Sequence, residues 1–239
     1  MNTYVVKQNN LTFVRSLPPR TVDLVYADII FDNPDLGWVL PLKPAMKSTG
    51  VLYIHTDRRA VERVLQEMRE IGGFTLQTWI IWAYNWGGRP RNRWGNKHDD
   101  ILFFSRSSEW PWYTKQVEIP KVTLINSTKT HQIPTDVWRM EQVDGVWDDI
   151  GSLHTTSKEK DDGERRQWQK PLALTDRICA AHPKRGRNQL VVDPVLGTGG
   201  LLVSAARYTQ NLWGCDIDPE AVRITRRRVK KALKQHWED

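Results

Sequence analysis

Short apolar runs alternate with helical spacings along the first hundred positions of the chain. The runs "VDLVYAD" (22–28), "VLYIHT" (51–56), "LQTWIIWAY" (76–84) and "DILFFSRS" (100–107) read as strands, and "YVVKQ" (4–8) as a shorter one. Between them, "LTFVRSL" (11–17) reads as a helix stopped by Pro18-Pro19, and a helical stretch is expected around "WVLPLKPAMKSTG" (38–50). In "RRAVERVLQEMREIGG" (58–73), Val61, Val64, Leu65 and Met68 recur at helical spacing before Gly72-Gly73 ends the pattern. Strands separated by helices predict an α/β architecture with a largely parallel sheet.

The pattern fails between about 109 and 165, where only short strands are expected, and "HTTSKEKDDGERRQWQK" (154–170) is polar enough to read as a mobile loop. It resumes with a helix at 171–182, its apolar side formed by Leu172, Leu174, Ile178 and Cys179. A strand at 189–194, a helix at 200–209, a strand at 211–218 and a basic amphipathic helix from Pro219 follow. A proline suits the first turn of that last helix, whose charged side reads as a solvated outer face. The chain has no internal repeats. Three segments result: 1–108, an irregular insertion at 109–165, and 166–239.

Composition narrows the class. A chain of 239 residues, 39% hydrophobic and 26% charged, is an ordinary globular one with room for a sizeable core. No apolar run reaches the roughly 20 residues of a membrane helix, and the N-terminus does not read as a signal peptide. Two cysteines in different elements argue against a disulfide framework or a zinc site, so a reducing cytoplasmic setting and no metal are expected. The net charge of +7 and a pI near 9.5 favour a polyanionic partner. Twelve tryptophans sharpen that reading, because "YNWGGRPRNRWGNK" (84–97) interleaves rings with cations. Trp86, Arg89, Arg91, Arg93 and Lys97 are the candidate contacts to bases and phosphates.

The most informative segment is "VVDPVLGTGGLLVSAARY" (191–208). A strand ends in Asp193-Pro194, turns through Gly197, Thr198 and Gly199, and opens into a helix. Glycines there allow close backbone approach of a ligand, and a helix start offers unpaired N–H donors. A second strand ends at Asp216, placed to accept from ribose hydroxyls. The segment "DPVLGTGG" resembles the cofactor loop of S-adenosylmethionine-dependent DNA amino-methyltransferases of the β arrangement, in which the catalytic half precedes that loop. "QKPLALTDRI" (169–178) and "WGCDIDPEAVRITRRRV" (213–229) are similar to the segments flanking the loop in that family. The resemblance covers nearly the whole chain except about 109–150, where such enzymes carry a variable target-recognition region. It implies a Rossmann-like methyltransferase fold, with a mostly parallel central sheet, helices on both faces and a small irregular insertion. It further implies S-adenosylmethionine as cofactor, duplex DNA as partner and, for many relatives, a homodimer. Asn9, Asp28, Lys170, Asp193, Pro194, Gly197, Thr198, Gly199 and Asp216 are the cofactor-binding positions it points to.

The family places a tetrapeptide, Asp/Asn/Ser-Pro-Pro-aromatic, at the end of the strand beside the cofactor, and "DIIF" (28–31) stands there. An exocyclic amine is a poor nucleophile because its lone pair is delocalised into the base. A carboxylate accepting one N–H and a carbonyl accepting the other draw the nitrogen towards tetrahedral geometry. Asp28 and the carbonyl of Ile29 are the expected acceptors, with Phe31 stacking on a base flipped from the duplex. Aspartate at the first position leans towards adenine N6. The chain departs from the pattern at Ile29 and Ile30, where the family has prolines, at Asn9 in place of an acid, and at Val195 in place of phenylalanine. Three readings therefore stay open: an active adenine-N6 DNA methyltransferase, a catalytically silent DNA-binding or regulatory relative, and the same chemistry on RNA or another amine.

Overall fold

The computed structural model describes residues 3–29, 32, 34–84, 90–120, 131–138 and 169–238. Its main sheet has eight strands: β1 (Tyr4–Lys7), β2 (Val22–Asp28), β3 (Met46–Thr56), β4 (Thr75–Ala83), β5 (His98–Ser105), β8 (Val137–Trp138), β9 (Leu190–Asp193) and β10 (Leu212–Asp216), in the order β1-β10-β9-β2-β3-β5-β4-β8. Neighbours are parallel except where β5 runs antiparallel between β3 and β4. A separate two-stranded pair joins β6 (Ile119–Pro120) to β7 (His131–Gln132). The expected mostly parallel sheet is what forms.

Both faces are covered, so the strands read as continuous apolar runs with alternate residues entering two different cores. Leu24, Tyr26, Val51, Tyr53, Ile101, Phe103 and Val191 pack on one face with α5 (Leu172–Ala181), α6 (Gly200–Ala205) and α7 (Pro219–Trp237). Val25, Ala27, Leu52, Ile54, Leu102, Phe104 and Val192 pack on the other with α1 (Asn10–Arg15), α2 (Val39–Leu42) and α3 (Val61–Ile71). A register shift between Val22 and Leu24 puts both of these residues inside, on opposite faces.

The helix expected over 38–50 is shorter than its pattern suggested. Only Val39–Leu42 is helical, and β3 begins at Met46. Pro44 lies just beyond α2, and backbone bonds from Arg20 to Pro44 O and from Thr21 and Val22 to Ala45 O draw the following residues into the ladder. Strand β5 likewise starts at His98, two residues before the apolar run, because Asp99 and Asp100 find partners within the fold. The last helix also differs from a plain solvated face. Arg226 donates to Val5 O at 2.7 and 2.9 Å, and buried Arg228 donates to Thr198 O at 2.6 Å. These two guanidinium groups tie α7 to the edge strand and to the glycine turn.

Of the insertion at 109–165, α4 (Thr114–Val117) and the short strands β6, β7 and β8 are described, and β8 rejoins the main sheet beside β4. The loop expected at 154–170 lies outside the described residues except for Gln169 and Lys170.

The candidate methyl-transfer site

Going along the chain, β9, β10 and β1 extend the sheet to one side while β2 and β3 extend it to the other. The crevice at the carboxyl ends of β9 and β2 is thus the switch point at which open α/β sheets bind ligands. A cleft of about 560 Å³ lies there, a size that accommodates a nucleoside ligand. Asn9, Asp28, Ile29, Lys170, Asp193, Pro194, Gly197, Thr198 and Asp216 all line it, so one hollow gathers residues from both halves of the chain. Gly199, expected among the cofactor-binding positions, does not line the cleft but packs against α7. Its φ of +73° starts α6, and a Cβ there would stand 2.5 Å from Thr225. Gly197 also has positive φ, and a Cβ on it would meet nothing within 4 Å. Phe31, Trp86 and Arg89 lie outside the described residues, as does Ile30.

The polar groups of the turn are held by short local bonds. Asp216 accepts from Gly197 N and Asp218 N, both at 2.9 Å, and so fixes the turn against the end of β10. Asp193 accepts from Val195 N at 3.0 Å. Asn9 caps α1 by accepting from Leu11 N at 2.9 Å, a task asparagine performs as well as aspartate. Burial pushes the Asp193 carboxyl up to about 8, with Asp216 and Asp28 adding to the rise and the Val195 N–H opposing it.

Asp28 projects from the end of β2 on the face that carries Leu24 and Tyr26. The ammonium of Lys170 reaches both of its carboxylate oxygens, at 2.8 and 3.0 Å. Lys170 therefore lines the cleft with its charge directed at the carboxylate. Behind Asp28 runs a buried chain of polar groups. The Tyr26 hydroxyl lies 2.7 Å from His55 Nδ1, and His55 Nε2 lies 3.0 Å from Asp99 Oδ2. The Tyr84 hydroxyl donates to Asp99 Oδ1 at 3.0 Å.

The donor directions in this chain are determined by chemistry. Burial, and then the charges of Asp28, Asp193 and Asp99, push the Tyr26 phenol well above its ordinary range, so it keeps its proton and donates. Burial works against the ionised form of Asp99, but the bond from His55, the charge of Lys170 and the bond from Tyr84 outweigh it and hold the carboxyl low. A carboxylate only accepts, so His55 Nε2 carries hydrogen and Nδ1 faces the tyrosine. His55 Nδ1 stands 3.9 Å from Asp28 Oδ1.

Ile29 is 5% exposed and packs into the core shared with Ala27, Leu36 and Trp38. Its backbone N–H donates to His55 O at 3.2 Å, which extends the β2–β3 ladder past Asp28. A proline cannot make that bond. Strand pairing thus restrains the residue whose carbonyl is the second expected acceptor.

Comparison with known proteins decides the lineage. The family model for DNA methylases of the N6/N4 type matches residues 32–227. The chain belongs to the N6/N4 DNA methylase family. S-adenosylmethionine is the methyl donor of this family. Among curated members, the chain is similar to the type II methyltransferase M.HpaI of Haemophilus parainfluenzae, with 21% identity over 250 residues, covering 96% of this chain and 74% of that protein. The solved M1.HpyAVI–SAM complex is similar with a TM-score of 0.66 and 19% identity, over 95% of this chain and 99% of that one. The cytosine-N4-specific PvuII DNA methyltransferase has a TM-score of 0.75 at 14% identity, over 99% and 92%. These two structures carry the fold, which is that of Rossmann-like DNA methyltransferases.

Within this N6/N4 methylase, Tyr26, His55, Asp99 and Tyr84 are the site-supporting groups that the sequence reading missed. The available signal was polarity in the wrong place: a histidine closing the buried run "VLYIH", and two acids opening a strand. Both cysteines are buried and form no disulfide. Among the described residues no helix is long and apolar enough to cross a membrane, and no His/Cys/Asp/Glu group could hold a metal ion.

Proposed function

We propose that the chain is a DNA adenine-N6 methyltransferase using S-adenosylmethionine, with Asp28 and the Ile29 carbonyl as the groups that receive the target amine. The observation that carries the reading is the charge of the cleft. On a protein of net charge +7, the residues lining this hollow include five aspartates (Asp28, Asp35, Asp193, Asp216 and Asp218), of which Asp193 keeps its proton up to about pH 8, and a single basic side chain, Lys170. Such a lining repels a phosphate-bearing dinucleotide and suits a nucleoside carrying positive charge and hydroxyls. When bound, S-adenosylmethionine supplies an electrophilic methyl group on a positively charged sulfur. Asp216 would hold the ribose hydroxyls and Asp193 the positive end, while the open backbone at Gly197 and Thr198 permits close approach.

Asp28 accepts one N–H of the amine and the Ile29 carbonyl accepts the other, which frees the nitrogen lone pair for attack. A bound sulfonium would supply the methyl group and keep the S–C electron pair as the N–C bond formed, and the nitrogen would release one proton towards Asp28 and solvent. Lys170 keeps the carboxylate oriented. Positioning and charge complementarity supply the acceleration. Phe31 is assigned the stacking on the extruded base, and residues 109–165 the choice of target sequence, both from the resemblance. The aspartate of the tetrapeptide supports adenine over cytosine. The decisive test is methyl transfer from labelled cofactor to mixed-sequence duplex DNA, followed by hydrolysis to nucleosides. N6-methyladenine is expected, whereas N4-methylcytosine would overturn the base assignment and no transfer by a folded, cofactor-binding protein would overturn the activity.

The isoleucines favour a second reading, a silent DNA-binding relative. The Ile29 N–H bond to His55 O argues for activity, because it restrains the backbone without proline. The double variant Ile29→Pro/Ile30→Pro is accordingly expected to methylate no faster than the native chain. Transfer that appears only in the double variant would establish the silent reading, and equal transfer by both would remove it.

Cofactor binding should depend on pH through Asp193. Its carboxyl holds a proton below about 8 in the folded protein. A cation entering the cleft favours the carboxylate, so binding releases that proton and tightens as pH rises towards 8, by up to about tenfold per unit. The same raised value makes folding stability fall as pH rises from the ordinary carboxyl range to about 8. Calorimetric titration of S-adenosylmethionine between pH 6 and pH 9 (roughly the window set by that carboxyl) measures the slope, and Asp193→Asn should flatten it.

A further inference from the structure

Trp94 is 95% exposed, the most exposed large hydrophobic side chain among the described residues. Tryptophan normally buries much of its roughly 150–250 Å² surface, so a ring held in water is a poor solution for folding alone. Its neighbours Arg91 and Arg93 are exposed cations. The segment 90–97 leads directly into β5, whose Asp99 bonds His55 beside Asp28. A second cleft, of about 550 Å³, opens along the same rim and is lined by Arg58, Arg59, Arg93, Asn96, His98 and Tyr84. Tyr84 belongs to both sides of the wall: it lines this cleft while its hydroxyl donates to Asp99. Asp57 and Asp32 bond Arg59 and hold that guanidinium at the rim. A basic trough with a bare indole beside it thus adjoins the acidic donor cleft.

We infer that Trp94 is a stacking wedge for duplex DNA, entering the base stack next to the extruded nucleotide while the trough of Arg58 and Arg93 grips the flanking phosphates. This rests on the DNA-methyltransferase reading above. Extruding a base leaves a gap in the stack, and an aromatic face fills such a gap without regard to sequence. The division of labour is specific: the indole contributes stacking and no ion release, the arginines contribute ion release and no stacking.

The test compares full-length variants for binding to a fluorescein-labelled mixed-sequence duplex by anisotropy over a range of salt. Trp94→Ala should weaken binding about 5- to 150-fold, the range for loss of one base–aromatic stack, with the salt slope unchanged. Trp94→Phe should stay within about threefold, since the ring face is kept. Arg58→Ala/Arg93→Ala should lower the slope by about 1–2. On a duplex carrying one abasic site, the Trp94→Ala deficit should persist, because the gap to be filled is already open. Calorimetric affinity of Trp94→Ala for S-adenosylmethionine should match the native protein and so certify its fold. Native binding with Trp94→Ala within twofold of it overturns the wedge alone, as does a salt slope that falls in Trp94→Ala. A deficit as large on single-stranded RNA overturns the duplex as its occupant. A native protein that holds S-adenosylmethionine but not duplex DNA overturns the wedge together with the DNA reading. Native DNA binding without methyl transfer, with Trp94→Ala weakened, supports the wedge and removes only the enzymatic reading.

Discussion

Replacing Asp28 with alanine is expected to reduce methyl transfer by about 100- to 1,000-fold or more while leaving S-adenosylmethionine affinity within about fivefold. The asymmetry follows from position. The carboxylate faces the cleft from the end of β2, but Asp193, Asp216 and the glycine turn supply the rest of the acidic lining from the other half of the chain. Its removal deletes the acceptor that prepares the amine and the group that Lys170 bonds at 2.8 and 3.0 Å. Asp28→Asn keeps an acceptor oxygen, as the asparagine form of the family tetrapeptide does, so it should lose less than Asp28→Ala and isolates the part played by the charge. Single-turnover transfer to duplex DNA, paired with calorimetry of cofactor binding, separates the two effects. An Asp28→Ala rate within about threefold of native would remove Asp28 from the reaction.

The second large effect is expected at Asp99, which never touches the cleft. Asp99→Ala should cost about 1–3 kcal/mol of folding stability, because the buried His55 Nε2 loses its acceptor, while the half-buried Tyr84 hydroxyl can turn to water. The catalytic consequence is distinct from the loss of stability. With Nε2 no longer fixed, the histidine ring is free to turn or change tautomer, and Tyr26 loses the partner that holds it under Asp28. Asp99→Asn keeps the shape and an acceptor oxygen but no longer dictates which nitrogen bears hydrogen, so a stable protein with a displaced pH–rate profile is the expected outcome. Denaturant unfolding of both variants, with rate profiles across pH for the asparagine form, checks the assignment. An unaltered profile would reduce Asp99 to a packing role.

The sequence disclosed the sheet because both faces are covered: strands buried on two sides read as unbroken apolar runs, and β2, β3, β5 and β9 all do. It disclosed the glycine turn of the cleft for a different reason. Gly197 and Gly199 adopt backbone conformations that other residues avoid, so their spacing survives in the sequence as a visible signature. What escaped was set by pairing across the sheet. The short α2 and the early start of β3 depend on bonds between 20–22 and 44–45, and no local pattern announces those. The link from His55 to Asp99 joins residues 44 positions apart. The substitution Ile29 was legible as a departure, but its remedy, a ladder bond to His55 O, was visible only in three dimensions.

The order of the sheet also governs when this protein can come into being on the ribosome. Strand β9 sits between β10 and β2, and Tyr4–Lys7 at the sheet margin pairs with Trp213–Asp216. Strand β1 must therefore wait for β10, made much later, and β2 presents a bare edge until residues 190–193 emerge. Closures over such long stretches of chain are slow and leave strand edges open to wrong partners. The cleft is accordingly complete only once β9 and β10 have emerged, so a nascent chain carries Asp28 long before Asp193 and Asp216 can close the hollow around it.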